Sequence, residues 1–269
     1  MGRAGWVPLD PTTGELESLN ATHIKLFEGM GGVVPRRVHV VEFQPPNRPL
    51  ANVQPAEAKP LPWQIGKRYL FRYKQGETDI GTEAFTITKV QRDGKDAYEV
   101  NSDVDLKVGG FTVKGTTRLS TAANGEPFAF VRDLDAAGQQ YKMECAFKDG
   151  EVDVKVSGAK ELTRQIKIPR GAYCFDNNLL SSWAIICPQL HFEKDEDVEV
   201  RVFHPSSLQV IPLTFKPQRQ APVSVDGKQT PCWQCEVDPI QNTFWITGDG
   251  RFVKAQQGKL TMELAEEKK

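Results

Sequence analysis

A two-residue alternation of apolar and polar side chains, broken at intervals by Asx-Gly dipeptides, limits what this chain can become more than anything else in it. The clearest stretch sets Tyr98, Val100, Val104, Leu106 and Val108 on one side against Glu99, Asn101, Asp103, Asp105 and Lys107 on the other. Side chains of an extended strand project to opposite faces in turn, so this pattern buries one face and wets the other. The alternation returns at Phe111, Val113 and Leu119, at Tyr141, Met143, Cys145 and Phe147, at Val152, Val154 and Val156, and at Val198, Val200 and Val202. Asp93-Gly94, Asn124-Gly125, Asp149-Gly150, Asp226-Gly227 and Asp249-Gly250 fall between such runs. Those dipeptides supply the positive φ values of tight hairpin turns, so neighbouring strands are expected to be antiparallel.

One segment departs from this period. From Asp176 to Cys187, the residues Leu179, Leu180, Trp183, Ile186 and Cys187 are spaced as on a helix, with Asp176 or Asn177 placed to cap its start and Pro188 to stop it. Strands before and after a single helix predict a mainly β fold: a long antiparallel meander forming a strongly curved open sheet, a half-barrel around one short helix, with a small N-terminal β stub. Prolines at 45, 46, 49, 55, 60 and 62 mark a linker. The expected organisation is therefore residues 1–43, a Pro-rich linker over 44–62, and a curved antiparallel β domain over 63–269.

Composition excludes some function classes. Lys plus Arg number 34 against 35 Asp plus Glu, so there is no basic surplus to neutralise a phosphate backbone, and nucleic acid is not an expected partner. No apolar run approaches the roughly 18 to 20 residues that a membrane helix needs, so no span is expected. Residues Met1 to Trp6 contain no apolar core of a signal peptide.

The stretch Gly5-Trp6-Val7-Pro8-Leu9-Asp10-Pro11-Thr12, followed by Asn20-Ala21-Thr22-His23-Ile24-Lys25-Leu26, resembles the closing segment of bacterial transglutaminase-like domains, over about residues 1–30. In that family Cys, His and Asp act as a triad, and the resemblance places its Asp at Asp10. The thiolate attacks, the imidazole moves the proton and the carboxylate orients the imidazole, so a carboxylate alone does nothing. Family Cys and His precede the Asp motif, and only nine residues precede Asp10 here. Asp10 is thus read as a vestigial triad member or as a turn residue before proline, and His23 as a packed or surface histidine. From Trp63 onward, the meander, the segment Phe175-Asp176-Asn177-Asn178-Leu179-Leu180 leading to Trp183, and the run from Phe244 to Lys254 resemble lipoprotein-carrier-like β domains. That resemblance implies a concave apolar face, with Phe111, Phe128, Phe130, Phe147 and Trp183 either lining a hollow or filling the core. It also implies a periplasmic or cell-envelope setting.

Cys232-Trp233-Gln234-Cys235 has CxxC spacing, but redox use needs a helix N-terminus and zinc a second ligand pair. The surrounding alternation predicts a strand with the two thiols on opposite faces. Cys145 is expected to be a buried apolar residue. His191 and His204 lie near Glu193, Asp195, Glu196 and Asp197, a run that reads as a solvated turn before the Val198 strand, and the two histidines have neither helical nor strand ligand spacing to each other, so no metal and no cofactor is expected. The functional expectation is a non-catalytic accessory or binding module of a transglutaminase-like protein, lacking the triad Cys and His, whose partner is a protein or a hydrophobic small molecule. The alternatives are the C-terminal part of a cysteine-dependent enzyme whose Cys and His lie upstream, and a carrier of lipid or another apolar ligand in the curved sheet.

Overall fold

A computed structural model describes residues 57–108, 110–158, 161–176, 180–190, 192, 196–225 and 227–268. Fifteen strands form one sheet: β1 (Arg68–Gln75), β2 (Thr78–Arg92), β3 (Lys95–Val108), β4 (Phe111–Ala122), β5 (Pro127–Ala136), β6 (Gln139–Lys148), β7 (Glu151–Gly158), β8 (Leu162–Lys167), β9 (Tyr173–Cys174), β10 (Val198–His204), β11 (Gln209–Val225), β12 (Lys228–Asp238), β13 (Asn242–Thr247), β14 (Phe252–Gln257) and β15 (Leu260–Lys268). Their lateral order runs from β8 back to β1, crosses to β15, and runs back again to β9. Every pair is antiparallel except β9 with β10, so the sheet is a meander joined at its middle by β1 and β15, and its edges are β8 and β9.

The turns follow the sequence signal. Asp93 and Gly94 have φ of 52° and 72°, and Asp149 and Gly150 have φ of 52° and 82°, the doubly positive geometry whose twist suits a two-residue hairpin. Register shifts at Leu70/Phe71, Tyr73/Lys74, Ser120/Thr121, Pro217/Arg219 and Trp245/Ile246 add local twist, which bends a long sheet upon itself. The curl brings β5 and β6 against the β9–β10 edge: Arg132 pairs with Asp176, and the rings of Phe147 and Phe203 lie 5.7 Å apart, edge to face.

Inside the curl sits a plug. A 3-10 turn (Leu180–Ser182) leads into α1 (Trp183–Gln189), and all of its residues are buried. Trp183 packs 4.4 Å from Phe175, 4.6 Å from Phe244 and 5.9 Å from Phe215, centroid to centroid, joining the plug to one continuous apolar core.

Two local features go beyond the sequence reading. At the start of the helix the carboxyl group of Glu83, from β2, receives the amides of Leu180 and Ser181, while Asp176 pairs with Arg132. Asn177 lies outside the described residues. Pro188 does not stop the helix, which continues to Gln189. Proline lacks the N–H that would bond to the carbonyl four residues earlier. That carbonyl, of Ala184, accepts the indole Nε1–H of Trp63 at 2.9 Å, so the missing bond is replaced from outside the helix. Part of the predicted linker also serves the plug: the Lys59 ammonium donates to the Leu190 carbonyl at 3.0 Å.

Candidate functional site

Cross-strand partners share a face, so the register divides the inner wall of β2 to β6 into successive rows about two residues apart. The first is Ile87, Val100, Leu119, Phe130 and Cys145, all at 2% exposure or less. The second is Phe85, Ser102, Thr117, Arg132 and Met143, also buried but polar at its centre. Glu83, Val104, Gly115, Leu134 and Tyr141 make the third, in which Leu134 and Tyr141 are only half-buried. Beyond it lie Leu106 and Val113, half-buried, and then the facing pair Val108 and Phe111, exposed at 42% and 63%. The wall thus passes from a dry core, through a polar belt, to an open apolar rim.

The belt holds the plug in one place and the segment after β9 in another. Glu83, at 0% exposure, accepts the Tyr73 hydroxyl at 2.6 Å and the Leu180 and Ser181 amides at 2.9 and 3.3 Å. Ser102 and Thr117 hydroxyls meet at 2.5 Å, and Thr117 reaches the Ser181 hydroxyl at 3.3 Å. Burial drives the Glu83 carboxyl up to about 7, against the opposing effect of the hydrogen bonds from Leu180, Tyr73, Ser181 and Ser102. In the second place the Arg132 guanidinium donates to Asp176 and, at 3.0 Å, to the Ser206 hydroxyl, which itself donates to Asp176 at 3.2 Å. Tyr141 places its ring 5.2 Å from that guanidinium on the rim side.

Burial pushes the thiols of Cys145 and Cys235 up to about 12 and Cys232 to about 11, with Cys174 and Cys187 raised further, so all five stay neutral, poor nucleophiles. All five are buried and free. Cys235 pairs with the inward-facing Phe244 and Cys232 with Thr247, so the CxxC lies on a strand with its thiols on alternate faces. Burial lowers the His204 imidazole, whose Nδ1 accepts the Ser207 amide at 3.1 Å. Among the described residues, no group of three or more His, Cys, Asp or Glu could hold a metal ion.

The five aromatic residues singled out in the sequence separate. Phe130 and Trp183 are in the core, Phe147 packs against it beside Phe203, and Phe111 stands on the open rim. Phe128 lies outside the core cluster, half-buried beneath the Arg92 guanidinium at 4.3 Å. Asp10, His23 and His191 lie outside the described residues. Of the belt residues, Asp176 was read from sequence only as a helix cap, and Glu83, Ser102, Thr117 and Arg132 were not singled out, although part of their signal was present. Ser102 interrupts the apolar series between Val100 and Val104, and Thr117 the series between Val113 and Leu119.

The fold and site define an unclosed, barrel-like β protein with a helical plug and an open apolar rim. The model of the family described as "Protein of unknown function (DUF3108)" matches residues 68–263, most of the chain, and the chain belongs to that family. Among solved structures, it is similar to the crystal structure of a beta-barrel-like protein of domain of unknown function DUF1849 from Brucella abortus. The TM-score is 0.52 at 16% identity, over 76% of this chain and 97% of that one, a likeness of fold. No curated protein matches the sequence. These findings overturn the resemblances drawn from sequence: nothing transglutaminase-like was found for residues 1–30, and DUF3108 takes the place of the lipoprotein-carrier-like assignment. The short motif around Asp10 is the kind of local match that arises without common ancestry, and hairpin periodicity is shared by many β folds.

Proposed function

We propose that this chain is a non-catalytic binding module that takes an uncharged apolar ligand at the rim formed by Val108, Phe111, Leu106, Val113, Leu134 and Tyr141. The observation that carries this reading is the exposure of Val108 and Phe111 on the same inward-facing side whose first two rows are buried. Apolar side chains left open in a row on a concave wall indicate a surface that something apolar covers. The outer face of the same strands is different in character, carrying ion pairs such as Arg68 with Asp103 at 2.6 Å and Lys114 with Asp105 at 2.9 Å. Support for a non-catalytic role comes from the neutral thiols and from the pairing of Arg132 with Asp176, which leaves both committed to the fold.

Titration with an uncharged naphthylamine fluorophore tests the reading. Saturable binding is expected, weakened about tenfold by Phe111→Ser, since truncating one recruited aromatic side chain forfeits on the order of 1.5 kcal/mol. Phe128→Ser, away from the rim, should leave it unchanged. Non-saturable uptake, or equal loss in the two variants, removes the rim as the binding surface.

A further inference from the structure

We infer that Arg164 guards the open edge of the sheet: standing in an otherwise apolar row of β8, it keeps that strand from pairing with the β8 of a second copy of this chain. The surface concerned is separate from the rim, so the inference goes beyond the binding function proposed above.

A sheet that does not close has two edges, each a row of unpaired amides and carbonyls on which another strand can build. Here they are β8 and β9. β9 is two residues long, and the curl sets β5 and β6 against it through Arg132 with Asp176 and Phe147 with Phe203. β8 runs for six residues, of which Thr163, Arg164, Gln165 and Lys167 are exposed. Its register shows which backbone groups are open. Antiparallel strands exchange both bonds at every second pair. Ile168 donates its amide to the Gly150 carbonyl at 2.8 Å, in step with the pairs Val152 with Ile166, Val154 with Arg164 and Val156 with Leu162. Those residues turn their backbone groups towards β7, so Thr163, Gln165 and Lys167 turn theirs outward.

The same register places the side chains. Leu162, Arg164 and Ile166 share a face with Val152, Val154 and Val156, which are buried. Leu162 and Ile166 pack against the core, and Arg164 stands exposed between them. A second β8 running antiparallel can satisfy the open groups only by setting Thr163, Gln165 and Lys167 against their counterparts, which keeps the two apolar faces on one side. Within the strand, Arg164 then meets Leu162, Ile166 or a second Arg164. The first two shut a charge among aliphatic side chains, and the third sets like charges directly opposite each other. None of these registers is favourable while Arg164 is present.

Sedimentation velocity of the full chain over a concentration series, joined to amide hydrogen exchange at Thr163 and Gln165, tests this. The wild type is expected to keep one sedimentation coefficient, with both amides exchanging freely. Arg164→Val should raise the self-association constant at least about a hundredfold, because no unpaired charge is then buried, and the two amides should gain protection as concentration rises. Arg164→Thr, neutral and suited to a strand, is measured beside it and should also associate, so the test does not hang on one variant folding. Arg164→Lys keeps the charge and should behave as the wild type. Adding Gln165→Pro to either neutral variant removes an outward amide and no bond to β7, and should return it to the monomer. Protection of Thr163 and Gln165 in the dilute wild type would show the edge already covered and overturn the inference. Neutral variants that fold and stay monomeric, or an association that Gln165→Pro leaves intact, would overturn it as well.

Discussion

Arg132 and Asp176 face each other from β5 and the segment after β9, with side chains 6% and 0% exposed. Their attraction is strengthened by burial, but so is the cost of taking two charges out of water, and the net contribution of such a pair is often small. Removing one partner is another matter, because the survivor is left charged in the interior. Asp176→Ala is therefore expected to cost about 3 to 5 kcal/mol in urea unfolding, and the double change Arg132→Met with Asp176→Leu to regain most of it. A single-variant cost below about 1 kcal/mol would show that water or another group compensates Arg132. Ser206, which touches both charges, holds their geometry and is the residue through which the β10–β11 turn feels the pair.

At the scale of elements, the plug is a ten-residue piece, too short to hold a helix in water by itself. It is helical because the sheet supplies what its ends lack. Glu83 serves the amides at the start, and Trp63 serves the Ala184 carbonyl that Pro188 leaves unsatisfied. Gly250, in the β13–β14 turn, lets the plug approach: a Cβ there would fall 2.6 Å from the Cα of Pro188. Trp63→Phe keeps the ring but removes the indole donor. The expected loss is about 1 to 3 kcal/mol, the penalty of a buried carbonyl without its partner, seen as a fall in calorimetric Tm of about 2 to 12 °C for a domain of this size. An unchanged Tm would mean that the carbonyl finds another donor.

For the molecule as a whole, the sheet is held by its ladder and by an apolar core that runs without a break from Trp63 to Leu264, so ionisation of Glu83 bears on global stability. Its carboxyl is raised from 4.5 to about 7 on folding, so its contribution is fully present below about pH 4.5 and is lost as pH rises through about 7. The loss amounts to about 3 kcal/mol. On the acid side the hydrogen bond from Lys89 lowers Asp96 and that from Lys142 lowers Glu144, and those contributions vanish as the pH falls through their folded values. Unfolding free energy should thus be greatest on the acid side of neutrality and decline towards pH 8, with the decline absent in Glu83→Gln; a wild-type profile flat from pH 5 to 8 would refute it. Many of the strands, the turns at Asx-Gly pairs and the place of the helix were legible in sequence, because they rest on local rules: alternation, Asx-Gly chemistry and helical spacing act within a few residues. The site was legible only in fragments, such as Phe111 on the rim and the gaps at Ser102 and Thr117. Nothing local says that Glu83 will meet Leu180, since 97 positions separate them and only the curl of the sheet brings them together. Sequence by itself determined which side chains share a face. Tertiary structure decided which part of that face is sealed, which encloses a buried carboxyl group and which is left open, because burial and its effect on charge belong to the closed surface and not to any one strand.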